Sequence, residues 1–326
     1  MPLADLHLAA LRSYRPAVAE PGDFDAFWTA TLEEARAAAG PPTLTAVDAH
    51  LPLLEVFDLT FNGFGGDAVR AWVLRPAGMP QPLPAVVTFR GYGGGRGAPV
   101  EHVGWAAAGY VHLVLDTRGQ GSGWSAGVTG DPHGSGPAFP GVMTRGIESP
   151  AHYYYRRLYT DAVRLVEVAR SLPGIDPRRV IVAGESQGGG IALAVAGLTA
   201  GLAGALVDVP FLCHFERGMD IASTGPYLEL TSYLGAHHDA DEGVLGTLSY
   251  FDGVNMAKRM TAPASFSAAL MDTTCPPSTV FAAFHACAST VKEIAAYRFN
   301  GHEGGRPDQW AAHARFLDAQ LHGTAS

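Results

Sequence analysis

The stretch Gly184-Glu185-Ser186-Gln187-Gly188 lies between a predicted buried strand and a predicted helix, and it decides the fold. The apolar run Val180–Ala183 precedes it, and the uncharged residues from Ser186 to Ala200 follow it. Glycine on both sides of Ser186 removes the Cβ atoms that would clash in a tight strand-to-helix turn. The pattern therefore predicts a serine hydroxyl that stands exposed at the carboxyl end of a strand.

Apolar strands and helices alternate on both sides of this turn. The predicted strands are Glu55–Phe61, Val69–Arg75, Ala85–Arg90, Val111–Asp116, Val180–Ala183, Ala205–Val209, Ser265–Met271 and Glu293–Phe299. The predicted helices are Asp23–Ala38, Leu158–Leu172, Ser186–Ala200 and Pro307–Leu321. Such alternation predicts a mostly parallel sheet with helices on both faces, and with the serine turn it predicts an α/β-hydrolase fold. The sequence shows no internal repeat and no linker, so residues 1–326 are expected to form one domain.

Composition argues against two classes of partner. The formal net charge is -9 and no basic run occurs, so a nucleic-acid partner is not expected. Residues 186–207 carry no charge, but their Gly and Ala content favours a helix packed on a sheet over a membrane span.

Residues 1–20 show no signal-peptide pattern, which favours the cytoplasm. The three cysteines, Cys213, Cys275 and Cys287, match no zinc or redox spacing and are expected to be buried thiols.

A serine hydroxyl needs a base, and His302 has the position of one. In this fold the partners of the serine follow it in the order acid, then histidine. His302 lies in a Gly-rich loop after the last predicted strand, whereas His285, His313 and His322 lie in helical stretches or the tail. We therefore expect His302 to accept the proton of Ser186.

The expected acid is Asp272, which follows the strand predicted at Ser265–Met271. A carboxylate at this strand end can hold the imidazole tautomer and stabilise its protonated form. Asp252 is the rival, but Ser249-Tyr250-Phe251-Asp252-Gly253 has the composition of a turn. The sequence thus predicts a triad of Ser186, Asp272 and His302.

Two backbone N–H groups are expected to stabilise the developing oxyanion: that of Gln187, which opens a helix, and that of Tyr92 in the loop after an earlier strand. Residues 91–97 contain no G-x-G-x-x-G register, and the chain contains no P-loop, which disfavours nucleotide enzymes. The run 237–242 is rich in His and Asp, but neighbouring residues of one loop rarely converge on one ion, so a solvated loop is expected. We expect no metal and no cofactor.

Several longer motifs together resemble one family, carbohydrate esterase family seven, which contains acetyl xylan esterases and cephalosporin-C deacetylases. The resemblance covers residues 24–316. The motifs that carry it are Asp116-Thr117-Arg118-Gly119-Gln120-Gly121-Ser122-Gly123-Trp124, Gly184-Glu185-Ser186-Gln187-Gly188-Gly189-Gly190, Asp208-Val209-Pro210-Phe211-Leu212-Cys213, Cys275-Pro276-Pro277-Ser278-Thr279-Val280-Phe281-Ala282-Ala283 and Gly301-His302-Glu303.

The resemblance implies the same triad and the same two oxyanion donors, Tyr92 and Gln187. It also implies an intracellular, cofactor-independent serine esterase that removes acetyl groups from small acetylated xylo-oligosaccharides and cephalosporin C through an acetyl-enzyme. A homo-oligomer, a hexamer, is implied as well, with an interface insertion at about 214–247 and an N-terminal helical extension. Many members have His before the Gly-Tyr pair of the oxyanion loop, where this chain has Arg90.

Alternatives remain open at this stage. A general carboxylesterase or a peptidase would use the same triad on another substrate. A non-catalytic binding protein of this fold would be expected to have lost a triad member, and all three are present. Metal-dependent deacetylation would need spaced ligands, and the sequence shows no suitable set.

Overall fold

A nine-stranded sheet forms the centre of the computed structural model, which describes residues 5–134 and 136–322. The strands are β1 (Thr43–Ala46), β2 (Leu54–Asn62), β3 (Ala68–Pro76), β4 (Leu83–Phe89), β5 (Val111–Leu115), β6 (Ile175–Glu185), β7 (Gly204–Asp208), β8 (Ala264–Ala269) and β9 (Lys292–Tyr297). Their spatial order is β1-β2-β3-β5-β4-β6-β7-β8-β9. Strands β1, β2 and β3 are antiparallel to their neighbours, whereas β5, β4, β6, β7, β8 and β9 run parallel to one another.

Helices cover both faces of this sheet. They are α1 (Leu8–Leu11), α2 (Phe24–Ala37), α3 (Val103–Ala107), α4 (Tyr154–Ser171), α5 (Gln187–Leu198), α6 (Phe215–Ile221), α7 (Tyr227–Ala236), α8 (Asp241–Ser249), α9 (Gly253–Ala257), α10 (Pro277–Ala286) and α11 (Arg306–His322). The predicted α/β-hydrolase fold, a mostly parallel sheet between helices, is confirmed.

Alternate residues of the central strands enter two different cores. Val87 of β4 and Val182 of β6 belong to the large core with α2, α4 and α5. Val86 and Ile181, their neighbours in the chain, pack with Trp105 of α3 and with α11 on the other face. Because successive side chains of a strand point to opposite faces, a strand with helices on both sides must be apolar throughout. This explains why the central strands read as continuous apolar runs.

Helix α5 confirms the expectation of a buried helix. Ten of its twelve residues are buried. A Cβ atom at Gly190 would lie 2.3 Å from the carbonyl oxygen of Phe211, and one at Gly197 would lie 2.4 Å from that of Met256. The small residues therefore permit close packing against neighbouring backbone. Across residues 5–134 and 136–322, no helix is long and apolar enough to cross a membrane.

Several features were missing from the sequence analysis or differ from it. Strand β1 and the helices of residues 214–260 were not predicted as such. Residues 214–247 include α6, α7 and most of α8. Of the run 237–242, expected to be a solvated loop, residues 237–240 join α7 to α8, whereas residues 241 and 242 begin α8; all but Ala240 are exposed. Strand β8 ends at Ala269, two residues before the predicted Met271, because the chain turns there. The three cysteines are buried and free, as expected.

Candidate active site

Ser186 occupies a strained turn between β6 and α5. Its φ of +59° and ψ of −121° lie in a region that side chains rarely adopt. A Cβ atom at Gly184 would lie 2.2 Å from the backbone of Gly188, and one at Gly188 would lie 2.2 Å from the carbonyl oxygen of Phe89. Glycine is thus required at both positions. The Ser186 N–H donates to the carbonyl of Asp208 at 3.0 Å, which ties the turn to the end of β7.

The structure brings Ser186, His302 and Asp272 together. Nε2 of His302 lies 3.0 Å from Oγ of Ser186, and Nδ1 lies 2.8 Å from Oδ2 of Asp272. Asp272 is buried, and its Oδ1 accepts the N–H groups of Thr274 at 2.8 Å and Cys275 at 2.9 Å. These two bonds fix the carboxylate, and its second oxygen faces the imidazole. A serine, a base and an orienting acid are therefore joined in one hydrogen-bonded chain.

The surroundings of His302 raise the pKa of its imidazole. Partial burial acts to lower the pKa of His302, but the hydrogen bond and the charge of Asp272 outweigh it and hold that pKa above the ordinary 6.5. A more basic imidazole accepts a proton from a hydroxyl more readily. The geometry and the pKa of His302 are both suited to proton transfer from Ser186.

Tyr92 and Gln187, the two expected oxyanion donors, both lie close to the serine site. Gln187 is the first residue of α5, where helical N–H groups have no partner within the helix. Tyr92 lies in the loop after β4 and lines the same cavity as Ser186. In the part of the chain that the structure describes, neither backbone N–H donates to another residue. Strands β4 and β6 are paired with Phe89 opposite Gly184, so the two loops start side by side.

An amide network that sequence reasoning missed joins these two loops. Oε1 of Gln120 accepts the N–H of Gly93 at 2.7 Å, and Nε2 of Gln120 donates to Oε1 of Gln187 at 2.9 Å. The same oxygen of Gln187 accepts the hydroxyl of Tyr155 at 2.9 Å. Gln120 stands in the 116–124 motif that carries the resemblance, so the motif contained a signal for it. The network holds the Tyr92 loop and the start of α5 in one arrangement.

A second contact connects Tyr92 to α7. The Tyr92 hydroxyl donates to Oε1 of Glu229 at 2.6 Å and accepts the N–H of Val142 at 2.8 Å. Oε2 of Glu229 accepts the N–H of Met143 at 3.1 Å. Burial raises the pKa of Glu229. No sequence pattern pointed to Glu229, because it lies 137 residues from Tyr92 and only the fold brings them together.

Arg90 stabilises the Tyr92 loop from outside. Its Nε donates to the carbonyl of Gly95 at 3.2 Å, and its guanidinium carbon lies 4.8 Å from the ring centroid of Trp124. Its carbonyl accepts Nε2 of Gln187 at 3.2 Å. Loss of solvent lowers the pKa of Arg90 from its ordinary value, and the charge of Glu101 opposes this shift. The arginine thus supports the loop through a hydrogen bond and a cation–π contact.

A cavity of about 810 Å³ opens above the serine, within the range of typical ligand sites. Its lining combines aromatic, charged and small polar groups. They are Thr88, Phe89, Arg90, Gly91, Tyr92, Trp124, Glu185, Ser186, Gly225, Pro226, Glu229, Thr274, His302 and Arg306.

The fold brings together one group of possible metal ligands that the sequence did not reveal. Potential ligand atoms of Asp272, Cys275 and His302 lie within 4.8 Å of one another. Asp272 and Cys275 are three positions apart, but His302 lies 27 positions after Cys275, so the spacing in the sequence did not reveal the group. Burial raises the pKa of the Cys275 thiol, which disfavours the thiolate that a metal prefers. A cation here would also have to displace the hydrogen bond between Asp272 and His302.

Asp252 directly follows the turn between α8 and α9, in line with its interpretation, and it has a further structural role. It is buried and is the N-cap of α9, where its Oδ1 accepts the N–H groups of Val254 and His214, both at 2.8 Å. Its Oδ2 accepts the N–H of Phe215 at 3.0 Å. Burial raises the pKa of Asp252 to about 6. The structure does not bring Asp252 to His302.

Comparison with solved structures shows close relatives over nearly the whole chain. An acetyl xylan esterase from Paenibacillus sp. R4 is 39% identical with a TM-score of 0.91, and it is covered to 99% by 96% of this chain. Acetyl xylan esterase 1 from Thermoanaerobacterium sp. JW/SL YS485 is 32% identical with a TM-score of 0.88, with the same coverage of both chains.

A third relative is longer than this chain. The acetyl esterase Axe7A of Xylanibacter ruminicola is 26% identical over 272 residues, which are 82% of this chain and 60% of that protein. The chain therefore spans less than two thirds of the length of that relative. The profile of the acetyl xylan esterase (AXE1) family matches residues 1–320. With the sheet and the serine site described above, this match shows that the chain belongs to the acetyl xylan esterase family of carboxylic-ester hydrolases.

Proposed function

We propose that this protein is a serine esterase that removes acetyl groups from small acetylated carbohydrates, with Ser186, His302 and Asp272 as its catalytic triad. The observation that carries the proposal is the hydrogen-bonded chain in which His302 lies 3.0 Å from the serine hydroxyl and 2.8 Å from the carboxylate. This arrangement supplies the base that a serine hydroxyl needs at neutral pH.

In the first half of the reaction, Oγ of Ser186 attacks the acetyl carbonyl carbon while Nε2 of His302 takes the serine proton. The carbonyl oxygen becomes an oxyanion that the N–H groups of Tyr92 and Gln187 stabilise. The tetrahedral intermediate then collapses and the C–O bond to the sugar breaks. His302 gives its proton to the leaving sugar oxygen, and an acetyl-serine remains.

In the second half, a water molecule attacks the acetyl-enzyme, and His302 now takes a proton from that water. Collapse of the second intermediate breaks the bond to Oγ of Ser186, which receives the proton from His302. Acetate leaves and the enzyme is regenerated. Asp272 holds the imidazole in the required tautomer through Nδ1 and stabilises its charged form in both halves.

Acetylated xylo-oligosaccharides are the proposed substrates because two relatives that cover this chain almost fully are named acetyl xylan esterases. The cavity of about 810 Å³, with Trp124 and polar groups in its lining, has room for a sugar ring beside the acetyl group. Cephalosporin C, which also carries an acetyl ester, is proposed as a second substrate on the resemblance described above.

We also propose that residues 1–326 act as one domain in a cytoplasmic hexamer. The sheet takes its strands from Thr43 through Tyr297, which supports one folding unit. Free buried cysteines fit a reducing compartment.

The helices of residues 214–247 are the proposed interface of the hexamer. Light scattering at micromolar concentration should give a mass near six times 34.2 kDa, and a monomer mass would contradict the assembly.

The substrate proposal is tested with a panel of acetylated xylo-oligosaccharides, cephalosporin C, p-nitrophenyl acetate, p-nitrophenyl octanoate and an aminoacyl anilide. We expect kcat/KM to be highest for acetyl esters and much lower for the octanoate and the anilide. Equal values for acetate and octanoate would support a general carboxylesterase, and preference for the anilide would support a peptidase.

A further inference from the structure

A second cavity of about 310 Å³ lies beside the catalytic cavity, on the face of the sheet that α3 and α11 cover. Residues 303–305, which directly follow His302, form part of its wall. Thr88, Glu185 and Arg306 line both cavities, so they form the partition between them. The volume lies at the lower end of the range for ligand sites. The reaction proposed above does not use this cavity.

An exposed tryptophan lies on one side of the second cavity. The side chain of Trp310 is 40% exposed, whereas Trp105 behind it is 7% exposed. Their ring centroids are 5.2 Å apart with an interplanar angle of 42°, so Trp105 supports the position of Trp310. An exposed indole offers a flat apolar surface with a polar N–H at its edge. The C–H face of a sugar ring matches such a surface.

Polar groups with remaining hydrogen-bonding capacity line the other walls. Oδ1 of Asp208 accepts the hydroxyl of Ser267 at 2.8 Å, and both carboxylate oxygens lie 3.0 Å from Nε2 of His313. An ionised carboxylate can accept about four hydrogen bonds, so capacity remains. The Asp208 side chain is 26% exposed. Acceptors for the hydroxyl groups of a ligand are therefore available.

The partition between the cavities is also polar. Within residues 5–134 and 136–322, the side chains of Glu185 and Arg306 make no hydrogen bond with another residue. One is an acceptor and the other a donor, and both border the two cavities. A molecule that extends from one cavity to the other would therefore meet both an acceptor and a donor.

This chemistry selects a neutral, hydroxyl-rich ligand. A fatty acyl chain would remove water from Asp208 and Glu185 and return no hydrogen bond, which is costly. An anion would find the guanidinium of Arg306, but it would also meet three carboxylates that border the cavity, those of Asp208, Glu185 and Glu303. Sugar hydroxyl groups both donate and accept, and the ring itself stacks on an indole.

We propose that the second cavity binds a further sugar ring of the substrate, on the leaving-group side of the acetylated ring. The direction follows from His302, which must reach the leaving oxygen and is followed directly by the loop that borders this cavity. The inference rests on the proposed function, since it assigns a binding subsite to the carbohydrate of that same reaction.

The test compares monoacetylated xylotriose with p-nitrophenyl acetate, which has no sugar, in Trp310→Ala. We expect KM for the xylotriose to rise about three- to tenfold with kcat nearly unchanged, the effect of one lost stacking contact that serves binding only. Both constants for p-nitrophenyl acetate should stay within twofold of wild type, which also shows that the variant folds. Trp310→Phe should recover most of the xylotriose affinity.

Phe299→Ala is the matched control, because Phe299 is 73% exposed and borders neither cavity. An unchanged KM for xylotriose in Trp310→Ala would overturn the subsite, as would a rise confined to p-nitrophenyl octanoate, which would assign the cavity to the acyl chain. If the wild-type protein cleaves p-nitrophenyl acetate but no acetylated xylo-oligosaccharide, the proposed function fails instead. The two failures are thus distinguishable.

Discussion

Two buried aspartates, Asp272 after β8 and Asp252 before α9, differ in how their second oxygen is used. Asp272 accepts backbone N–H groups of the turn that follows it, and Asp252 accepts those at the starts of α6 and α9. Both carboxylate oxygens of Asp252 accept backbone N–H groups. In Asp272 only Oδ1 does so, and Oδ2 faces the imidazole of His302. Residue type and burial therefore do not separate a structural carboxylate from a catalytic candidate. The two are distinguished by the partner that the second carboxylate oxygen faces.

The largest effect should come from Ser186→Ala. This change removes the hydroxyl to which Asp272 is connected through His302. We expect kcat to fall by a factor on the order of 10⁶, because triad residues act as a unit. The far-ultraviolet circular dichroism spectrum and the melting temperature should stay near wild type. Turnover close to wild type in a sample free of contaminating esterase would show that the Asp272 turn has no catalytic role.

Asp272→Asn should lower kcat by about 10⁴-fold, because an amide at Oδ2 would favour the wrong imidazole tautomer. The matched control is Asp252→Asn, which changes a carboxylate of equal burial and should leave kcat within a few-fold of wild type. Steady-state kinetics on p-nitrophenyl acetate measures both. A crippled Asp252→Asn with a mild Asp272→Asn would reverse the comparison.

Asp252→Asn should act on stability instead. The change puts an amide donor among three backbone N–H donors, so at least one bond is lost, at a cost of about 1–3 kcal/mol in the free energy of unfolding. Because burial raises the pKa of Asp252 to about 6, the charged carboxyl is disfavoured in the fold, and the loss should be smallest near pH 7 and larger at pH 5. Urea denaturation at the two pH values measures this.

The pH profile tests whether the oxygen of Asp272 that faces His302 controls the base. The pKa of His302 is held above 6.5, so kcat/KM should fall about tenfold per pH unit below a midpoint that lies above 6.5. The direction follows because the imidazolium cannot accept the serine proton. In Asp272→Asn the midpoint should move to lower pH, since the partner that raises the pKa of His302 is gone. An unmoved midpoint would assign the acidic limb to another group.

The smallest expected effect is that of EDTA. Asp272, Cys275 and His302 have ligand atoms close enough for a cation, but the proposed reaction uses the hydrogen bond that such a cation would break. We expect kcat/KM on p-nitrophenyl acetate to stay within about 20% of the untreated enzyme after exhaustive chelation. Activity lost on chelation and restored by one divalent metal would make the Asp272 turn a metal site instead.

The central strands, the long helices and the serine turn were predictable because their signals are local. A continuous apolar run, an apolar face and a glycine pair each follow from contacts within one element. Strand β1 was missed because all four of its residues are exposed, so the strand has no alternation of buried and exposed positions. The short helices α6 and α9 were missed because seven and five residues are too few for a clear period.

Contacts between distant loops had no such signal. Gln120 and Glu229 acquire their positions only when the sheet brings residues 91–93 next to the 116–124 loop and α7. Asp252 caps α9 through the N–H of Val254, two positions away, but its bonds to the N–H groups of residues 214 and 215 span 38 and 37 positions. For Asp272 and His302, the order of partners along the chain predicted a proximity that composition could not.

The pairing of Phe89 with Gly184 sets the spacing of the proposed oxyanion donor and the nucleophile before either loop begins. A strand rises about 3.3 Å per residue, so slipping β4 by one position against β6 would carry the Tyr92 N–H out of reach of a bound carbonyl. The same slip would turn every side chain of β4 to the opposite face of the sheet, so Val86 and Val87 would exchange the two cores in which they pack. An inserted or deleted residue inside β4 should therefore abolish folding and turnover together, whereas length changes in exposed loops far from this pair are free to accumulate.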